Sequence, residues 1–231
     1  SPPRRALPRV ELTMRGVLLL ALLLPLHAEG VELYRDFPNV VHADQGYVIF
    51  SHGFIAEGTE EKPVSPRFGV YDFPGLRQTL FADGGFNLIA YQRPKDVDFN
   101  VHVTQLESWV RRLLEAGVKP SRITLAGFSR GSNITAHASA RLRDTGINTA
   151  LLAACVKGDI KADPPLVLGG NLLSIYETSD EVLTCNVLAK RSKLLSFEEV
   201  AISTGKQHGA FFEPRPEWID PLKAWIARTN R

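Results

Sequence analysis

Ser129, Asp180 and His208 are the residues of this 231-residue chain whose types and order suit nucleophilic catalysis. A serine hydroxyl attacks a carbonyl only when a base takes its proton, an imidazole is the usual base, and a carboxylate holds that imidazole in the working tautomer. Ser129 stands in Gly127-Phe128-Ser129-Arg130-Gly131, with glycine on both flanks of a sharp turn. Such a bend admits only glycine at those two places, and it lifts the serine oxygen clear of the preceding strand. Upstream, Ile123-Thr124-Leu125-Ala126 is the apolar, β-branched run of a strand buried on both faces. Downstream, residues 132–143 hold neither proline nor glycine and place Ile134, Ala138 and Leu142 at helical spacing.

The base and the acid follow in loops. His208 lies in the polar, glycine-rich stretch Thr204-Gly205-Lys206-Gln207-His208-Gly209, after the strand-like Val200-Ala201-Ile202. Asp180 lies in Glu177-Thr178-Ser179-Asp180-Glu181-Val182, after the strand-like Leu172–Tyr176. Glu177 and Glu181 compete for the acid's role, but Glu177 directly follows the strand and Glu181 opens the next segment, so Asp180 is expected to reach His208. Asp163 is a weaker rival, set in a turn by Pro164 and Pro165. Acyl transfer also needs two backbone N–H groups aimed at the developing oxyanion. Arg130, just after the nucleophile, supplies one. Phe54 is expected to supply the other, because Tyr47-Val48-Ile49-Phe50-Ser51 reads as a strand running into a His52-Gly53 turn. His52 is read as structural and His137 as an ordinary helix residue.

Taken together, the elbow, the His-Gly turn and the chain order Ser, Asp, His, with each residue on a loop after a strand, resemble the α/β-hydrolase superfamily over about residues 45–228. The order is not that of chymotrypsin or subtilisin. The likeness is greatest to short bacterial serine hydrolases without a cap domain. It implies an α/β fold with a mostly parallel sheet, helices on both faces and no lid domain, and an acyl-enzyme reaction that needs no cofactor.

The elements that must position these residues are legible as an alternation. Strand-like runs near 47–51, 86–91, 122–126, 149–155, 171–176 and 198–203 are separated by helical or loop segments, as in a parallel sheet covered on both faces. Before the elbow, Val103, Leu106, Trp109, Val110, Leu113 and Leu114 form one helix face, with Glu107, Arg111, Arg112 and Glu115 off it and Gly117 and Pro120 ending it. A last helix carries Trp218, Ile219, Leu222, Trp225 and Ile226 at core spacing. Only 15 residues separate the runs at 149–155 and 171–176, too few for a lid. The longer insertion, Ile55 to Tyr71, is expected to wall the pocket, leaving a cleft suited to accessible ester or thioester groups. Arg93, in Tyr91-Gln92-Arg93-Pro94, is expected to bind substrate and, with Arg130 and Lys206, to favour anionic or strongly polar esters. The alternative for all three is a solvated surface charge.

Residues 14–28 read as a secretory signal peptide: Met14-Arg15, an apolar run from Val17 to Leu26, and a cut after Ala28, with residues 1–13 an upstream extension. About ten apolar residues are too few for a stable membrane span. The leader holds four arginines against Glu11, so without it the formal charge falls from +2 to −1, and the basic balance is no argument for nucleic acid. Residues 29–231 form a single domain of ample core. Cys155 and Cys185 are expected at the same end of neighbouring strands and, in an exported protein, to form a disulfide, with two free buried thiols as the alternative. The sequence has no repeat, no phosphate-binding glycine loop and no His/Cys metal spacing. The expected protein is a secreted or periplasmic serine hydrolase of small-molecule carboxylic esters. Thioesterase, acyltransferase and peptidase chemistry with the same three residues, or a non-catalytic binding module, are the alternatives; a cysteine nucleophile of the dienelactone type is disfavoured by Ser129.

Overall fold

In the computed structural model, which describes residues 30–230, seven strands lie parallel in one sheet. The chain order is β1 (Leu33–Tyr34), β2 (Tyr47–Ser51), β3 (Val64–Ser65), β4 (Gly69–Val70), α1 (Phe73–Phe81), β5 (Asn87–Ile89) and α2 (Phe99–Glu115). It continues with β6 (Ile123–Phe128), α3 (Arg130–Arg141), β7 (Asn148–Leu152), β8 (Gly169–Glu177), α4 (Asn186–Arg191), β9 (Lys193–Ile202) and α5 (Pro216–Thr229). Across the sheet the order is β1-β5-β2-β6-β7-β8-β9, with β3 and β4 paired as a separate small ribbon. Residues from Val31 onward group as one compact unit. The expected leader and its extension lie outside the described residues. Among the described residues, no helix is long and apolar enough to cross a membrane.

Alternation along the central strands builds a core on each face. Val48 and Phe50 of β2 pack with Leu76 of α1 and Trp218 and Trp225 of α5, while Tyr47 and Ile49 pack with Val110 of α2 and Ile134 of α3. A strand buried on both faces must be apolar throughout, which is why these runs show no polar alternation. In α2 the predicted face is buried at Val103, Leu106, Trp109, Val110 and Leu113, with Leu114 at its margin. Asp98 caps this helix by accepting from Asn100 N at 2.8 Å, and Glu107 pairs outward with Arg111.

The chain runs from β2 to β5 on one side and then crosses to β6 on the other. Connections leaving β2 and β6 therefore diverge to opposite faces and open a crevice beyond the strand ends. The first insertion supplies the short turn Phe54–Ala56 and the β3–β4 ribbon beside that crevice. Between β7 and β8 the connection contains no helix, and the strand expected over 149–155 stops at Leu152, where Ala153 turns with φ 47°. At the other boundaries, β9 begins at Lys193, earlier than its apolar pattern, and α1 is capped by Asp72, which accepts from Gly75 N at 3.2 Å.

Candidate active site

Ser129 adopts φ 54°, ψ −118°, a conformation costly for any residue with a side chain, typically by about 1–3 kcal/mol. Close packing around the turn imposes it. A Cβ on Gly131 would lie 2.0 Å from Ser51 O, and one on Gly127 would lie 2.4 Å from Gly131 O and 2.6 Å from Thr135 Oγ1. Ser129 N–H donates to Leu152 O at 3.0 Å, and its carbonyl accepts from Asn133 N and Asn133 Nδ2, both at 3.1 Å. Buried Ser132 ties the turn to β7, its hydroxyl donating to Gly127 O and accepting from Leu152 N at 3.0 Å.

His208, in the turn Gln207–Phe211 that follows β9, reaches back to this serine. Its Nε2 lies 2.8 Å from Ser129 Oγ and its Nδ1 2.7 Å from Asp180 Oδ2. With imidazole neutral, Nδ1–H donates to the carboxylate and Nε2 accepts from the serine hydroxyl. Phe128 and Phe68 flank the ring, with centroids at 4.9 and 6.1 Å. Asp180 is oriented from behind by Glu181 N, which donates to Oδ1 at 2.7 Å. Glu181 itself points to solvent, and Asp163 lines a separate groove with Pro164 and Pro165.

Glu177, the closest rival by sequence, is fully buried and bonded to groups other than the His208 ring. Its Oε1 accepts from Thr204 N (2.8 Å) and Gly205 N (3.0 Å), and its Oε2 accepts from Ser179 N (2.7 Å) and the Ser179 hydroxyl. One carboxylate thus staples the loop of Asp180 to the loop of His208. Burial pushes its pKa up, but the hydrogen bonds from Ser179, Thr204 and Gly205 outweigh burial and hold it below the usual 4.5. Further along the acid's loop, Cys155 and Cys185 form a disulfide with Cα atoms 5.2 Å apart, and Leu183 N donates to Cys155 O at 3.0 Å.

On the opposite side of Ser129, Phe54 and Arg130 each begin a helical turn, so neither amide has an intrahelical acceptor. Among the described residues neither has any other acceptor. A Cβ on Gly53 would lie 3.9 Å from Ser129 Cβ, which sets the Phe54 turn against Ser129. His52 is buried beneath that turn. Because Arg93 N–H donates to its Nε2 at 2.8 Å, the ring proton sits on Nδ1 and donates to Gly53 O at 2.7 Å. Burial, reinforced by the Arg93 charge, drives the His52 pKa well below 6.5 and keeps the ring neutral.

Arg93 does not stand where a substrate contact was expected. Its side chain is 4% exposed, with Nη2 donating to His52 O and Nε, at 3.4 Å, to Glu57 Oε1, while Nη1 is buried without a partner among the described residues. Burial lowers its pKa to about 10. The physical reason is Glu57, 5% exposed, whose Oε1 also accepts from Arg130 Nε at 2.9 Å. A buried carboxylate draws in the nearest guanidinium. Sequence reasoning passed over Glu57 because it lies in the irregular insertion, with no periodic or motif signal. Lys206 is exposed, and His137 bonds Asn133 O through Nδ1 at 2.8 Å with its ring edge-on to Phe99.

Two cavities are lined by residues adjacent in sequence to Ser129 or His208. One, of about 660 Å³, lies on the side of Phe54 and Arg130. The other, of about 410 Å³, lies against the His208 turn and includes Arg67, Phe68, Lys206, Gln207, Phe212 and Arg215 in its wall. Among the described residues no three His, Cys, Asp or Glu side chains are grouped as metal ligands.

No family model matches the chain. An acetyl-hydrolase of Streptomyces hygroscopicus is 38% identical to it over 66 residues, which span 29% of this chain and only 22% of that protein. Among solved structures, Arabidopsis thaliana SOBER1 superposes with a TM-score of 0.56 at 12% identity, over 80% of this chain and 99% of its own. An arylesterase gives 0.56 at 16% identity over 84% and 79% of the two chains. A structure reported for the metagenome-derived lipolytic enzymes LipS and LipT gives 0.55 at 13% identity over 82% and 99% of the two chains. At such identities these structures speak to architecture, and the architecture is the α/β-hydrolase fold.

Proposed function

We propose that this chain is a serine hydrolase that cleaves carboxylic esters of small molecules through an acyl-enzyme. The observation that carries the reading is the unbroken hydrogen-bonded line from Asp180 through His208 to a serine held in a strained turn, at 2.7 and 2.8 Å. Ser129 Oγ attacks the carbonyl as its proton passes to His208 Nε2, and Asp180 stabilises the imidazolium. The Phe54 and Arg130 N–H groups receive the oxyanion. His208 then protonates the departing alcohol, and a water activated by the same imidazole releases the acid. Esterases among the structural neighbours and the partial likeness to an acetyl-hydrolase support ester bonds as the target. The apolar leader pattern and the disulfide support export to an oxidising compartment.

The test is a serine-directed fluorophosphonate together with a panel of esters, thioesters and peptides. Labelling is expected at Ser129 alone, with esters turned over fastest. Ser129→Ala and His208→Ala should each remove nearly all turnover, and the double variant little more, because the groups act as a unit. A folded wild-type protein that neither labels nor turns over an activated ester is a binding module instead, and faster thioester or peptide cleavage replaces the ester assignment.

A further inference from the structure

One cavity is walled by residues of the turn that carries His208 and the other by Arg130, next to Ser129, so the position of His208 decides which part of an ester each one meets. The alcohol must leave toward the imidazole that protonates it, on the side of the Gln207–Phe211 turn. The acyl part then lies on the other side, in the 660 Å³ cavity walled by Phe54, Phe99, Arg130, Asn133, His137 and Lys161. Its wall adjoins Ser129: Arg130 is the next residue, Asn133 bonds the Ser129 carbonyl through its side chain, and Phe54 follows the glycine packed against Ser129.

Its charge is set by an imbalance in the buried cluster behind it. Glu57 offers one negative charge to two guanidiniums, Arg93 in the interior and Arg130 in the cavity wall. One positive charge is left over. Arg130 uses Nε on Glu57, and its two terminal nitrogens have no hydrogen-bond partner among the described residues. The guanidinium is held between the Phe54 and Phe99 rings, 5.4 and 5.7 Å from their centroids, so it is pre-oriented rather than free to sweep solvent. Lys161 is exposed and has no acidic partner within 4 Å among the described residues. None of the six wall residues is an acid, and Asp163 lines the neighbouring groove. Phe54, 65% exposed, adds an apolar ring left open to solvent at the mouth. The cavity on the His208 side also carries cations, since Arg215 there is paired with Glu213 but Arg67 donates only to the neutral Gln207 and Lys206 is exposed; what sets the first cavity apart is the guanidinium fixed by Glu57 beside Ser129.

We propose that the acyl cavity selects esters whose acid part ends in an anionic group, that is, hemiesters of dicarboxylic acids, with the carboxylate received by Arg130 and Lys161 and the chain between carried over the phenylalanine rings. This rests on the esterase reading above. The reaction is unchanged: the hemiester anion and water give the dicarboxylate, the alcohol and one proton.

The experiment compares kcat/KM for 4-nitrophenyl hemiglutarate and 4-nitrophenyl pentanoate, which share acyl length and differ in the terminal charge. At low ionic strength the hemiglutarate is expected to be favoured roughly tenfold, as a charge-assisted contact provides. The preference should shrink several-fold near 0.5 M salt. Lys161→Glu should reverse or abolish it and Arg130→Gln should lower it, with circular dichroism checking the fold of both. A wild-type ratio at or below one, or a ratio that neither salt nor either folded variant moves, overturns the proposal. Turnover of neither ester counts against the esterase reading. In that case calorimetry with Ser129→Ala still decides the cavity: methyl glutarate should bind more tightly than methyl pentanoate, and equal binding overturns it.

Discussion

Ser129 sits between β6, buried along its whole length, and the start of α3, whereas Asp180 and His208 sit on loops leaving β8 and the exposed edge strand β9. On the first side, position is imposed by contact. The start of α3 approaches the end of β2 so closely that a single added carbon at Gly131 would overlap Ser51 O. On the second side, position is imposed by donors converging on the Glu177 carboxylate, with the disulfide beyond. Steric constraint inside a core is indifferent to pH and reductant. A carboxylate staple and a disulfide are not. Ser129 should therefore stay in place under conditions that release His208 and Asp180.

Gly131→Ala should have the largest effect. The clash is with backbone, which cannot rotate away, so a loss of more than about 4 kcal/mol of stability is expected, read as a missing or much earlier denaturant transition. A variant within about 1 kcal/mol of wild type would show that the elbow is not sterically fixed.

On the opposite side, removing the disulfide by Cys155→Ala/Cys185→Ala should cost about 3 kcal/mol. Amide exchange should accelerate in residues 178–184 well before it does in β6 and α3. Equal acceleration in both places would erase the contrast.

Glu177→Gln replaces one acceptor by a donor that must face N–H groups, so roughly 2 kcal/mol of stability should go. In ester turnover kcat should fall about tenfold with KM little changed, because Asp180 and His208 lose their mutual placement while the substrate's walls remain. A rise in KM alone would point to a binding role for Glu177.

The smallest effect is the acid limb of stability. The Glu177 pKa is held below 4.5 in the folded chain, so its contribution is complete above that value and is lost as pH falls through the depressed one. Below about pH 4.5, wild-type melting temperature should drop more steeply than that of Glu177→Gln. Asp159, Glu61 and Glu107 are depressed too, by hydrogen bonds from arginines, so only the difference between the two curves reports on the staple. Parallel curves would remove pH sensitivity from this side of the site.

Much of this was open to a reader of the sequence alone, and the residues show why. The elbow is a local pattern, with two glycines, a serine, an apolar run before and helical spacing after. The buried faces of α2 and α5 follow from periodicity, and Ser129, Asp180 and His208 were marked by the loops that end strand-like runs, which the fold brings within hydrogen-bond reach. Less legible were β1, only two residues long, the early start of β9, exposed at an edge, and α4, six residues without a full amphipathic turn. α1 did carry a readable signal, Asp72 followed by Pro74 at a helix start.

What the sequence by itself determined is which residues could react and which faces must be buried, because both depend on neighbours within a few positions. Only the tertiary structure decided that Arg93 turns inward, that Glu57, 36 residues away, serves two arginines at once, and that Glu177 binds two loops together while Asp180 meets His208. The reason is physical. A charged side chain settles where its donors and acceptors converge, and that convergence is made by segments far apart in the chain meeting at the ends of parallel strands.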